Sequence, residues 1–223
     1  MQMTKEKLAA IIDHTLLKPF ATRDDIAKLC KEALNYGFVT AVVNPTYVPL
    51  AAELLRCSKV KVCTVVGFPV GASTTKVKAF ETANAIEEGA KEIDMVTNVG
   101  ALKSHDFNLV SNDIATVVRE ARSANAITKV IIDACYLTRE EKIRACELAR
   151  EGGADFVKTS TGFAEGARAE DVRLMRQVVG EHMGVKASGG IRTYEDAVRM
   201  VEAGATRIGT SAGVAIISGL LES

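Results

Sequence analysis

The sequence predicts an α/β protein, a closed (β/α)8 barrel carried by a single domain over residues 1–223 and opened by a short N-terminal helix. Three observations predict it. Short apolar runs alternate with amphipathic stretches about eight times, a Gly-centred helix-to-strand junction recurs along the chain, and no linker or change of composition divides it.

The polar and charged start over 1–10 supplies the short helix, and the first strand is placed at 13–17. Thr22 with Asp25 has capping-box spacing, and Ile26, Leu29, Cys30, Ala33 and Leu34 then recur at helical intervals, which gives one buried face. Tyr36-Gly37-Phe38 closes that helix and opens a strand over 38–43, and a third strand follows over 61–66. Gly89-Ala90 leads into a strand over 92–96, and another apolar run lies at 129–132. Thr138 with Glu141 starts a helix that Gly153-Ala154 ends before a strand over 154–157. A strand follows at 184–185, Thr193 with Asp196 caps the next helix, and Gly204-Ala205 precedes the last strand at 206–208. Eight such units fit a closed parallel TIM barrel. The competing architecture, a doubly wound open sheet, lacks its familiar G-x-G-x-x-G after the first strand.

Composition narrows the function. Hydrophobic residues make up 48% and charged residues 25%, as in an ordinary globular protein. Lys plus Arg and Asp plus Glu both number 28, so no overall field draws the chain to nucleic acid or to an anionic membrane. An anionic ligand must be held locally. No segment offers the ~18 consecutive apolar residues of a membrane span. Cysteines at 30, 57, 63, 135 and 146 form no C-x-x-C pair and stand with no clustered His, so they are read as reduced core thiols, without disulfides or a metal site. A cytoplasmic location is expected.

In a barrel, function gathers where strands end. The run Glu92-Ile93-Asp94-Met95-Val96 puts an acid inside an apolar strand, where it needs a cation or several donors, and such an acid serves as structural partner as readily as catalyst. The runs ending Val157-Lys158-Thr159-Ser160 and Val185-Lys186-Ala187-Ser188 each place a lysine at the end of an apolar strand. One such lysine is ordinarily a solvated rim charge; two on adjacent strands with Asp94 on a third point to amine catalysis on a carbonyl. A neutral lysine attacks an aldehyde, a second ammonium lowers its pKa, and a carboxylate moves protons on the iminium. Ser160-Thr161-Gly162, Ser188-Gly189-Gly190 and Gly209-Thr210-Ser211 add bare N–H groups and hydroxyls after the last three strands, where a barrel commonly holds phosphate. Asp13 is either a turn residue or a polar group at the barrel mouth, and His105 and His182 are read as surface residues.

With these residues in view, the chain resembles the deoxyribose-phosphate aldolase family. The matching segments are Ile12-Asp13-His14-Thr15-Leu16-Leu17, Val43-Asn44-Pro45, Val66-Gly67-Phe68-Pro69-Val70-Gly71, Glu92-Ile93-Asp94-Met95-Val96, Val157-Lys158-Thr159-Ser160-Thr161-Gly162-Phe163 and Val185-Lys186-Ala187-Ser188-Gly189-Gly190-Ile191-Arg192. The resemblance implies a class I aldolase that cleaves 2-deoxy-D-ribose 5-phosphate reversibly to acetaldehyde and D-glyceraldehyde 3-phosphate, with no cofactor and no metal. It implies that Lys158 forms the Schiff base, Asp94 transfers protons and Lys186 lowers the nucleophile's pKa. It places phosphate at Gly162, Gly189, Gly190, Gly209 and Ser211, with Asp13 and Thr161 in support, and a homodimer or homotetramer is expected. Two departures stand out. Where that family carries Glu-Thr after the fifth strand this chain has Asp133-Ala134-Cys135-Tyr136, and Leu220-Leu221-Glu222-Ser223 replaces a longer tail that bears a tyrosine, so tail-assisted proton transfer is not expected. The rival readings are another phosphosugar barrel, a lysine aldolase or an isomerase, and a non-catalytic barrel that binds a phosphorylated metabolite.

Overall fold

The computed structural model describes residues 4–219, so the C-terminal departure at 220–223 lies outside the described residues. Eight parallel strands close on themselves in sequential order, and β1 (Ile12–Leu16) pairs with both β2 (Thr40–Val43) and β8 (Arg207–Thr210). That last pairing, Ile12 against Ile208 and Asp13 against Gly209, excludes the open sheet. The remaining strands are β3 (Lys61–Val66), β4 (Glu92–Val96), β5 (Ile127–Ile131), β6 (Phe156–Lys158) and β7 (Gly184–Ser188).

The short helix α1 (Lys5–Ala9) precedes β1, capped by Thr4. Helices α2 (Arg23–Tyr36), α3 (Val48–Leu55), α4 (Thr75–Glu87), α5 (Val99–Lys103), α6 (Phe107–Arg122), α7 (Arg139–Glu151), α8 (Ala169–Val179), α9 (Tyr194–Glu202) and α10 (Gly213–Gly219) surround the strands. Among the described residues no helix is long and apolar enough to cross a membrane. All three expected capping boxes form, Thr22 with Asp25, Thr138 with Glu141 and Thr193 with Asp196. Each satisfies two N–H groups that a helix start leaves open.

Strand boundaries moved where helix caps used the same residues. Phe38 still donates its N–H to Ala33 across the left-handed Gly37 cap, so β2 begins at Thr40 rather than 38. Ala154 likewise donates to Ala149 beyond α7, which delays β6 to Phe156. The strand at 184–185 runs on to Ser188, and the strands at 129–132 and 206–208 shift to 127–131 and 207–210. Leu34 is a correction: it is 43% exposed, because it lies roughly 90° round the helix from the centre of the Ile26, Leu29, Cys30 and Ala33 stripe. Cys57 is another, exposed after α3, and Cys135 is only partly buried, whereas Cys30, Cys63 and Cys146 are core thiols.

Strand register divides the buried side chains into two sets. One alternation set, with Val43, Ile93, Met95, Val130, Val157, Val185 and Ile208, packs outward against the helices and forms the main core. The other set fills the barrel, and it is apolar only on one side: Val42, Cys63 and Val65 under Leu17, beside Phe68. The other side of the interior is ionic.

Candidate active site

The ionic half of the interior comes from six strands. Asp13 lies on β1, Glu92 and Asp94 on β4, Lys129 on β5, Lys158 on β6, Lys186 on β7 and Arg207 on β8, and register makes Lys158, Lys186 and Arg207 consecutive lateral neighbours. Adjacent residues in register point to the same face, so these side chains must converge. All seven are buried.

Asp94 is the centre. Its Oδ2 accepts from Lys158 Nζ and Lys186 Nζ at 2.7 Å each, and its Oδ1 accepts from Lys129 Nζ at 2.8 Å and from the Cys63 thiol at 3.3 Å. Burial alone would raise its carboxyl, but the three ammonium groups outweigh that and hold it well below the ordinary carboxylate range. Asp94 therefore stays ionised. The expectation that an acid here needs a cation is met three times over.

Lys186 also meets Asp13 Oδ2 at 2.5 Å, while Asp13 Oδ1 accepts from Thr40 and from Arg207, both at 2.7 Å. Asp13 is therefore neither a turn residue nor a mouth residue; it is fully buried beneath the lysines. Burial pushes the Lys186 ammonium down, but Asp13 and Asp94 more than compensate and its pKa is raised. Lys158 behaves the opposite way. Its burial lowers its pKa, Asp94 opposes this, Lys186 adds to the lowering, and the net direction is down. The expected electrostatic help from Lys186 is present, yet desolvation is the larger cause, because Lys186's own charge is already balanced by two carboxylates.

A cavity of about 400 Å3 opens above this cluster, and Lys158 and Lys186 form part of its floor. Thr161, Gly162, Gly189, Gly190, Gly209 and Ser211 all line it, so the structure gathers every residue anticipated for phosphate at one cavity; Asp94 and Asp13 lie below it. Gly162, Gly189 and Gly190 have φ of +88°, +87° and +77°, a region that side-chain-bearing residues rarely adopt. Gly209 is different. Its backbone is ordinary, but a Cβ there would come within 2.9 Å of Lys186 Cε, so its small size makes room for the lysine. Asp133 stands at φ +48° after β5 and accepts from the Thr161 N–H at 2.8 Å, which ties the β6 loop to the β5 end. Burial raises its carboxyl.

Sequence reasoning missed several members. Lys18 and Arg192 line the cavity and bring positive charge to the glycine loops, while Phe163, 56% exposed, meets Phe68 edge-on at its rim. Glu92 and Lys129 stood at the start of expected strand runs and Arg207 and Cys63 within them, and the register between neighbouring strands, which the sequence does not reveal, shows that they turn inward. His14 faces outward to Glu32 at 2.7 Å, and His105 and His182 are surface residues as expected. Among the described residues no group of three or more His, Cys, Asp or Glu side chains is arranged to hold a metal ion.

Comparison with known proteins agrees with this geometry. The family model for DeoC/LacD family aldolases matches residues 7–219. The chain is similar to deoxyribose-phosphate aldolase of Thermococcus kodakarensis, 60% identical over 97% of this chain and 98% of the relative. It is likewise similar to that of Halalkalibacterium halodurans, 62% identical over 95% of each. Among solved structures, the tetrameric deoxyribose phosphate aldolase of Aeropyrum pernix superposes with a TM-score of 0.92 at 38% identity, covering 98% of this chain and 92% of that one. A protein described as QR15, an aldolase, gives a TM-score of 0.92 at 41% identity, covering 99% and 97%. With a family match across nearly its whole length and relatives at about 60% identity, the chain belongs to the DeoC/LacD family of aldolases.

Proposed function

We propose that this aldolase cleaves 2-deoxy-D-ribose 5-phosphate reversibly to acetaldehyde and D-glyceraldehyde 3-phosphate through a Schiff base on Lys158. The observation that carries the reading is the floor of the cavity: a buried lysine whose pKa is lowered, bonded to one shared carboxylate, beside a second lysine whose pKa is raised. The first amine is the one able to attack a carbonyl.

In the synthetic direction Lys158 Nζ adds to the acetaldehyde carbonyl carbon, and loss of water leaves an iminium. A proton then leaves the neighbouring carbon and its electrons form the enamine. The enamine carbon attacks the aldehyde carbon of D-glyceraldehyde 3-phosphate, the new alkoxide takes a proton, and water releases the product and the free amine. Asp94 is the nearest proton acceptor. Its carboxylate, bonded to Lys158 Nζ at 2.7 Å, is placed to accept that proton, and its fixed charge stabilises the iminium. Lys186, charged and bonded to the same oxygen, supplies the donor side of the relay.

The phosphate is assigned to Gly162, Gly189, Gly190 and Ser211, with Arg192 and Lys18 adding charge. Gly209 supports the site by accommodating Lys186. We take residues 1–223 as one domain working in the cytoplasm, where its cysteines stay free, as a homodimer or homotetramer. The tetrameric relative and the exposed Val77 and Phe80 on α4 support an oligomer. The test is incubation with acetaldehyde and cyanoborohydride followed by peptide mass spectrometry. A single two-carbon adduct at Lys158 is expected, with loss of activity; adducts spread over many lysines would overturn the reading.

A further inference from the structure

The interior cluster holds three carboxylates, Asp13, Glu92 and Asp94, against four basic side chains, Lys129, Lys158, Lys186 and Arg207. Lys129 meets Glu92 at 2.6 Å, Asp94 at 2.8 Å and Asp13 at 3.9 Å. Arg207 meets Asp13 at 2.7 Å and Glu92 at 3.2 Å, and Lys186 meets Asp13 at 2.5 Å and Asp94 at 2.7 Å. Each of these three cations touches at least two carboxylates. Lys158 touches one, through an oxygen already shared with Lys186. The cluster is electrically balanced when Lys158 is neutral and carries one surplus charge when it is not.

We propose that Glu92 and Lys129, which lie beneath the cavity and do not line it, are positioning residues that set the interior charge balance and so the pH at which Lys158 becomes a nucleophile. This rests on the Schiff-base reading given above. The groups facing Lys158 are few. From β4 come Asp94 and, below it, Glu92; from β5 come Lys129 and, at the strand's end, Asp133, whose carboxylate is engaged by Thr161. Lys186 is its neighbour on β7, Arg207 and Asp13 stand behind Lys186, and Cys63 on β3 contributes a thiol that burial keeps uncharged. A fully buried cluster cannot recruit counter-ions from solution, so a charge removed from one member is felt by the others with little screening. The member with the fewest partners yields first.

The signs follow directly. Glu92→Gln leaves one more uncompensated positive charge, which Lys158 relieves by releasing its proton more readily. Lys129→Met removes a positive charge, which lets Lys158 keep its proton. The double variant restores the count with a neutral pair, a replacement that buried ion pairs commonly tolerate.

The experiment measures the rate of cyanoborohydride trapping of acetaldehyde at Lys158 from about pH 5.5 to about pH 9.5, with wild type, Glu92→Gln, Lys129→Met and the double variant, each checked by circular dichroism. The midpoint is expected to move to lower pH in Glu92→Gln and to higher pH in Lys129→Met, by about one pH unit in each case. The double variant returns to the wild-type midpoint. If one single variant does not fold, the sign of the shift in the other decides, with the charge-conserving Lys129→Arg expected at the wild-type midpoint. Midpoints that move the same way in both single variants, or do not move, or shift as far in Lys129→Arg as in Lys129→Met, would overturn the inference. Absence of any adduct on Lys158 in the wild type would instead overturn the Schiff-base reading, so the two failures are distinguishable.

Discussion

Asp94→Asn removes one charge from the centre of the cluster while keeping the side chain's shape. Wild-type Asp94 accepts from three ammonium groups at 2.7–2.8 Å and from the Cys63 thiol at 3.3 Å. At that separation and an effective dielectric of about 20, each ammonium attraction is worth about 6 kcal/mol before desolvation. The variant does not lose three times this amount, because Lys158 can release its proton and one amide oxygen remains to accept. Removing one partner of a buried ion pair commonly costs about 3–5 kcal/mol, and for a chain of this size that lowers Tm by roughly 6–20 °C. The pH dependence has a definite sign. Without the carboxylate, the buried lysines have folded pKa values pushed down toward or below the unfolded value of about 10.4. The folded state then binds fewer protons than the unfolded state across that window, so stability rises with pH and the deficit relative to wild type shrinks from pH 7 toward pH 10.

The assay is urea denaturation of both proteins at pH 7 and at pH 9, with NMR of deuterium exchange into the methyl group of acetaldehyde. Exchange is expected to fall by roughly 100-fold or more, while trapping at Lys158 persists because the amine is freer of its proton than before. A deficit under about 1 kcal/mol, or one that grows from pH 7 to pH 9, would refute the electrostatic reasoning. Exchange that survives would leave Asp94 a purely structural anion.

Three further outcomes are expected. Lys158→Arg folds but loses activity by orders of magnitude, since guanidinium cannot form the imine, and activity within tenfold of wild type would remove Lys158 from the chemistry. Gly190→Val forces a β-branched residue to φ +77° beside the glycine loops, so kcat/KM for deoxyribose 5-phosphate should drop far more than for deoxyribose; equal losses would place the phosphate elsewhere. Away from the cavity, Lys78 and Asp113 form a fully buried pair at 2.6 Å between α4 and α6, which Thr75 also joins. Lys78→Met strands Asp113 and should cost about 3–5 kcal/mol in urea unfolding, and Asp113→Leu in the same chain should recover most of it; no recovery would mean that the loss is one of packing.

Local signals were legible because they depend on residues close in sequence. Capping boxes span three residues, glycine caps sit at the junction they create, and a lysine at the end of an apolar run stands out wherever the strand lies. Those signals determined the barrel, its order of elements and the positions of Lys158, Lys186 and the glycine loops. The rest was decided by closure of the sheet. Arg207 reaches Asp13 across 194 residues and Glu92 across 115, and no short pattern records either pairing. Glu92, Lys129 and Arg207 sit at or within strand runs where a charge reads equally well as a solvated end, and only the register between neighbouring strands determines that they turn inward. The same closure buries Asp13, for which the sequence allowed either a turn or a place at the barrel mouth, beneath the floor of the site. A residue's type and its local spacing are properties of the chain, whereas the face it presents and the charges it meets there depend on which strands lie beside it, and in a closed barrel every strand has two such neighbours.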